Sequence, residues 1–132
     1  MNYSAKAVLL SNFAPSEHFR SGSFTDILHE EARWDVGAFW ALDKAIRELH
    51  KPGLIAGGDH ELIWPVFRIY SFLSLTLRAH CDPNDCFEIR DMDPEIFPDW
   101  CERLQLTFEG FMKGDMPQDN LFDLENPTFA SE

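Results

Sequence analysis

The sequence predicts an all-α protein, a single compact bundle of four or more helices carrying an acidic connector and a C-terminal tail. Three observations predict it. Apolar residues recur at three- and four-residue steps in three long stretches. Capping residues stand at Ser23 and Asp35, and stop signals at Lys51-Pro52-Gly53 and Gly114. The chain's 132 residues, 45% of them hydrophobic, suffice for one core but not for two independent ones. Residues 1–132 are therefore read as one domain, with 1–22 and 115–132 expected to be extended or flexible segments.

Ser23-Phe24-Thr25-Asp26 has the form of a capping box and opens a helix through roughly Ala32. Asp35 caps a second helix, in which Val36, Phe39, Trp40, Ile46 and Leu49 share a face and Lys51-Pro52-Gly53 is the stop. Leu54 to Asp59, with Gly57-Gly58, reads as a loop. Pro65 suits a first helical turn, and from there to about Ala79 apolar residues cover nearly the whole circumference, leaving only Arg68, Ser71 and Arg78 as a polar stripe. That pattern predicts a central, buried helix. Ser74 to Arg78 also alternates polar with apolar, so a strand is the alternative there. Asp82 to Asp93 is an acidic connector with turn chemistry at Pro83-Asn84-Asp85. The last helix is expected from about Pro98 to Met112, with Phe97, Trp100, Leu104, Phe108 and Phe111 in register and Gly114 ending it. Beyond Asp115 the chain reads as a packed strap or a frayed tail. Trp34, Phe39, Trp40, Trp64, Phe67, Tyr70, Phe72, Trp100 and Phe108 are assigned to the core.

Formal charge is -12 and is unevenly placed: residues 1–81 hold nine acids and eight bases, whereas 82–132 hold fourteen acids and three bases. A surface this acidic cannot replace phosphate counterions and is repelled by anionic lipid, so neither nucleic acid nor membrane is expected as a direct partner. Three cysteines in no paired spacing fit reduced thiols and a cytoplasmic location. The first residues lack the basic and apolar regions of a signal peptide, and Leu62 to Leu77 is too interrupted by polar residues to span a bilayer.

Motifs for chemistry fail one by one. His60-Glu61 begins like a zinc-protease helix, but Trp64 stands where the second histidine belongs. His80, Cys81, Cys86 and Cys101 lack the spacing that would preorganise a zinc site. Asp82-Pro83-Asn84-Asp85 resembles the start of a calcium loop, yet Phe87 and Asp93 occupy the positions of its glycine and bidentate glutamate. Gly57-Gly58 has no phosphate-loop lysine. No nucleophile motif appears, and hidden acid–base catalysis by His29 or His80 with a carboxylate is the remaining enzymatic reading. No catalytic residue, metal or cofactor is assigned.

The acids are more informative. Asp82, Asp85, Glu88, Asp91, Asp93, Glu95, Asp99 and Glu102 fall within 21 residues opposed by Arg90 alone. One reading is a solvated surface that maintains solubility. The other is a preformed anionic patch for a basic protein, with Phe87 and Ile89 as apolar anchors. Arg68 and Arg103 are expected to pair structurally with acids such as Glu109 or Asp35.

Trp34-Asp35, Phe39-Trp40, Val66-Phe67-Arg68-Ile69, His80 with Asp82-Pro83-Asn84-Asp85, Phe87-Glu88-Ile89, Glu102-Arg103, Gln105-Leu106 and Phe108-Glu109-Gly110-Phe111 occur in order. Over about residues 24–114 this set resembles the immunity 41 family, small bacterial proteins that neutralise polymorphic toxins, including those of contact-dependent inhibition. The resemblance implies a non-enzymatic, intracellular inhibitor, encoded beside a toxin that it binds and blocks; many such toxins are nucleases with basic clefts. It assigns no contact residues, and Pro65 and the tail after Gly114 depart from the pattern. The residues proposed from charge to bind the toxin are Asp82, Asp85, Phe87, Glu88, Asp91, Asp93, Glu95, Asp99 and Glu102. An acidic adaptor that binds a basic regulatory partner is the alternative.

Overall fold

The fold begins where a single hydroxyl satisfies a free helix end: Ser4 Oγ accepts from the Ala7 N–H at 3.2 Å and starts α1 (Ala5–Ser11). The computed structural model describes residues 4–118 and Leu124. Within segment 1–22, expected to be extended or flexible, residues 5–11 are therefore helical. Leu9 is fully buried, α1 packs on the helix of residues 36–49, and Asn12 joins it to the next helix by accepting from the Thr25 N–H and Oγ1 at 2.9 and 3.0 Å.

Helix α2 (Phe24–Glu31) starts at the expected cap: Ser23 Oγ accepts from the Asp26 N–H, and the Asp26 carboxylate reaches back to the Gly22 N–H. It ends at Ala32 with φ 51°, in the left-handed region. Asp35 then caps α3 (Val36–Leu49) by accepting from the Ala38 N–H at 2.8 Å.

Helix α4 (His60–Cys81) corrects the sequence reading twice. It begins five residues before Pro65, which lies inside it near the N-terminal end, where the N–H that proline lacks removes only one bond, that to the Glu61 carbonyl. Residues 74–78 are helical, as the main reading expects, and the alternative strand does not form. Nor is the helix buried all round. Leu62, Val66, Ile69, Leu73 and Leu77 face the core, whereas Trp64, Phe67 and Leu75 are 44, 55 and 64% exposed.

Helix α5 (Phe97–Lys113) follows the predicted boundaries, with Pro98 in its first turn and Gly114 as a left-handed cap at φ 90°. These five helices are the regular elements of the described residues, an all-α bundle. Its core is aromatic: Phe24, Trp34, Phe39, Trp40 and Trp100 interlock with ring centroids 4.9 to 5.8 Å apart.

A buried ion pair crosses that core. Arg103, with no exposure, grips Asp43 through Nε at 3.1 Å and Nη2 at 3.0 Å, and Thr107 Oγ1 donates to the same carboxylate at 2.8 Å. Neither Glu109 nor Asp35, the acids expected for Arg103, takes part. Glu109 accepts from Gln105, and Asp35 is occupied by its cap and by Arg33. Arg103 Nη1 also donates to the Gln118 carbonyl at 2.6 Å and Arg47 Nη1 to the Pro117 carbonyl at 2.9 Å, so the chain after α5 folds back as a strap as far as residue 118. Gly110 permits this approach, because a Cβ there would stand 2.8 Å from the Asp115 carbonyl oxygen. Leu124 packs against the core; the rest of the expected tail lies outside the described residues.

Removing either half of the pair should cost about 3–5 kcal/mol in urea unfolding, for Asp43→Leu as for Arg103→Met. The double variant should cost less than the sum, because it leaves no orphaned charge. Gly110→Ala should cost about 1–3 kcal/mol by pushing the strap away, despite alanine's higher helix propensity.

Candidate functional site

The connector between α4 and α5 holds six of the eight acidic residues, Asp99 and Glu102 lying in α5, and the connector's own side chains build its shape. Asp82 Oδ1 accepts from the Asn84 N–H, Asp85 Oδ1 from the Phe87 N–H and Asp93 Oδ1 from the Glu95 N–H, each at 2.8 to 2.9 Å. These are three successive Asx turns, the local bond that lets aspartate replace secondary structure. Asp91 adopts φ 56°, a left-handed conformation that aspartate tolerates better than most residues. Asp99 sits half-buried in the first turn of α5, where the helix dipole favours a carboxylate.

Two anchors pin this segment. Ile89 is 2% exposed, and its N–H donates to His80 Nδ1 at 2.9 Å, while the His80 ring packs against Phe97 at 4.7 Å. The Arg90 N–H donates to the Ala32 carbonyl at 2.7 Å, and the backbones of Arg33 and Arg90 pair in a single parallel β-bridge. The connector is thereby tied both to α4 and to the turn between α2 and α3. Phe87 is half-buried and packs against the core, so it and Ile89 seat the connector from inside.

The proposed residues thus divide by role. Asp82, Asp85 and Asp93 shape turns and Phe87 anchors. Glu88, Glu95 and Glu102 are exposed, and their carboxylates make no hydrogen bond or ion pair among the described residues. None of the eight carboxylates forms an ion pair there, Arg90 included, so the cluster presents unneutralised negative charge.

The groups considered for catalysis are used differently. His80 is a latch. His29 is exposed beside Glu30 at 3.7 Å and lies edge-on to Phe72. Among the described residues no serine, threonine or cysteine side chain hydrogen-bonds a histidine ring, the Ser16 hydroxyl taking only the His18 backbone N–H, and no three His, Cys, Asp or Glu side chains gather as a metal site. Burial, with a smaller contribution from Cys81, pushes the Cys101 thiol up to about 11. At neutral pH it is a protonated, weakly reactive thiol. The largely apolar groove between α4 and α5, about 370 Å³, is lined by Phe67, Tyr70, Phe108 and Met112 with Glu109 and Lys113 at its edge.

No family model, no curated protein and no solved structure matches this chain. The exposed face of α4 is the feature sequence reasoning missed. Its signal was present in Arg68, Ser71 and Arg78, which a helix buried all round would not carry unpaired.

Two outcomes test these roles. His80→Ala should lower stability by about 1–3 kcal/mol in urea unfolding, since it leaves the Ile89 N–H without its acceptor, and should speed amide exchange across residues 87–90. Iodoacetamide at pH 8 should modify exposed Cys81 and Cys86 well before Cys101, whose thiolate fraction there is about one in a thousand. Because the folded value lies above the unfolded one, the Cys101 contribution to stability is complete below about pH 9 and declines as pH rises toward 11.

Proposed function

We propose that this protein is a non-enzymatic, cytoplasmic immunity protein that binds a cognate bacterial toxin and covers the toxin's basic cleft with the acidic connector. The observation that carries this reading is the set of eight unneutralised carboxylates between Asp82 and Glu102, on a segment pinned at Ile89 and Arg90. A nuclease must line its cleft with lysine and arginine to hold phosphates. Carboxylates carried on a fixed backbone meet that cleft with the charge that the nucleic acid backbone brings, and steer encounter while doing so. Because the connector is already shaped by its turns and anchors, ordering it costs little on binding.

Glu88, Glu95 and Glu102 are the acids whose replacement leaves the connector's turns intact. The triple variant Glu88→Lys, Glu95→Lys, Glu102→Lys should keep its helical circular dichroism. It should bind the toxin domain encoded beside it about 100-fold more weakly and with a flatter dependence on salt, a loss of about 2.7 kcal/mol. Lysines at Glu17 and Glu30, in the other half of the chain, should leave calorimetric affinity unchanged. Equal affinities for the triple variant and the parent would place the contact elsewhere, and binding of an unrelated basic protein with equal strength would favour an adaptor.

A further inference from the structure

The exposed row on α4 has an order of its own. Trp64, Phe67, Ser71, Leu75 and Arg78 are all exposed, and they follow one another at steps of three, four, four and three residues. Those steps keep the five on one stripe of a helix. They also read the same in both directions about Ser71. A second copy of α4 laid antiparallel, with a two-fold axis at Ser71, therefore sets Trp64 against Arg78 and Phe67 against Leu75, twice over, with the two small serines at the axis.

Each pairing is chemically matched. A guanidinium over an indole is a favourable cation–π contact. Phe67 and Leu75 are 55 and 64% exposed and bury apolar area against each other. The groove of about 370 Å³ beside Phe67, walled by Tyr70, Phe108 and Met112, offers a hole for the Leu75 knob of the other copy. One turn further out, His60 stands opposite Asp82, a ring nitrogen facing a carboxylate. Arg68 is drawn aside over the Phe72 ring at 5.9 Å and leaves the axis clear.

Charge selects the occupant and the direction. Between Glu61 and Asp82 the helix carries Arg68 and Arg78 and no acid, so this face repels the basic partner that suits the connector. A net charge of -12 disfavours an anionic membrane. Antiparallel pairing places the two acidic connectors at opposite ends of a 22-residue helix, roughly 33 Å apart at the helical rise and several screening lengths away, whereas parallel pairing would press them together. We propose that the protein forms a two-fold symmetric homodimer through the outer face of α4. The surface is isologous, each copy giving and receiving the same contacts.

Sedimentation equilibrium on the full chain should find a species of twice 15.3 kDa that dissociates on dilution. Leu75→Glu, at a site whose side chain packs on little else, should keep its circular dichroism and, at dilutions where both chains are monomeric, its melting temperature, and should weaken dimerisation at least about tenfold. For register, cysteines are introduced in a chain with Cys81 and Cys86 changed to serine. Phe67→Cys with Leu75→Cys should give an oxidised covalent dimer, bridged between 67 of one copy and 75 of the other, and Phe67→Cys alone should not. A chain that stays monomeric to about 1 mM overturns the proposal and leaves the face to a different protein or to lipid. So does a dimer undiminished by Leu75→Glu, or self-crosslinking of Phe67→Cys alone, the mark of parallel pairing.

Discussion

Asp43 is 4% exposed, and a carboxylate that deep in an aromatic core is retained only because three groups surround it. Arg103 holds it in a two-pronged grip, Thr107 fills a further lone pair, and Arg47 stands 3.7 Å away. Arg103 in turn has an indole face, Trp40, at 5.1 Å and a carbonyl, Gln118, at 2.6 Å. Stripping water from each ion costs several kcal/mol, so the arrangement adds less to net stability than its bond list implies. What it adds is uniqueness: α3 and α5 can slide past each other only by leaving a buried charge without its partner. The strap depends on the same pair, because Gly110 opens the space and Arg103 supplies the donor that fixes the chain there.

Much of this helical frame is legible in the sequence, and the reasons are local. Ser23, Asp35, the Lys51-Pro52-Gly53 stop and Gly114 act within one turn of themselves, and each does in the fold what its chemistry suggests. Helix α1 was hidden because seven residues hold too few turns to show periodicity, and its stability comes from docking on α3. The partner of Arg103 was hidden for the opposite reason, since 60 residues separate it from Asp43. A signal existed even so. Asp43 falls in the apolar register of Phe39, Trp40 and Ile46, and an acid on that face of a helix points to a buried cation elsewhere.

The misread face of α4 teaches a different point. Hydrophobicity around a whole circumference reads as burial, but the five helices of the described residues supply too few neighbours to cover a 22-residue helix on every side. The core claims Leu62, Val66, Ile69, Leu73 and Leu77, and the outer row keeps Trp64, Phe67 and Leu75 in water, where large apolar groups gather seldom without use. The polar members of that row then become informative, because an arginine among exposed aromatics is the composition of protein interfaces.

The acidic connector can be judged by the same standard of cost. Eight like charges in 21 residues repel one another, and a chain free to relieve that repulsion would spread into solvent. Here it is held instead: three of the aspartates spend an oxygen on the backbone two residues ahead, Ile89 is driven into the core, and His80 and the Ala32 carbonyl take the two N–H groups that follow one another at 89 and 90. Ala32 itself accepts a left-handed backbone, a strain of about 1–2 kcal/mol for a residue with a Cβ, in the position from which its carbonyl reaches Arg90. Solubility alone asks for none of this, since loose acids serve it equally well. The connector keeps its charges crowded at a conformational cost that the surrounding fold meets.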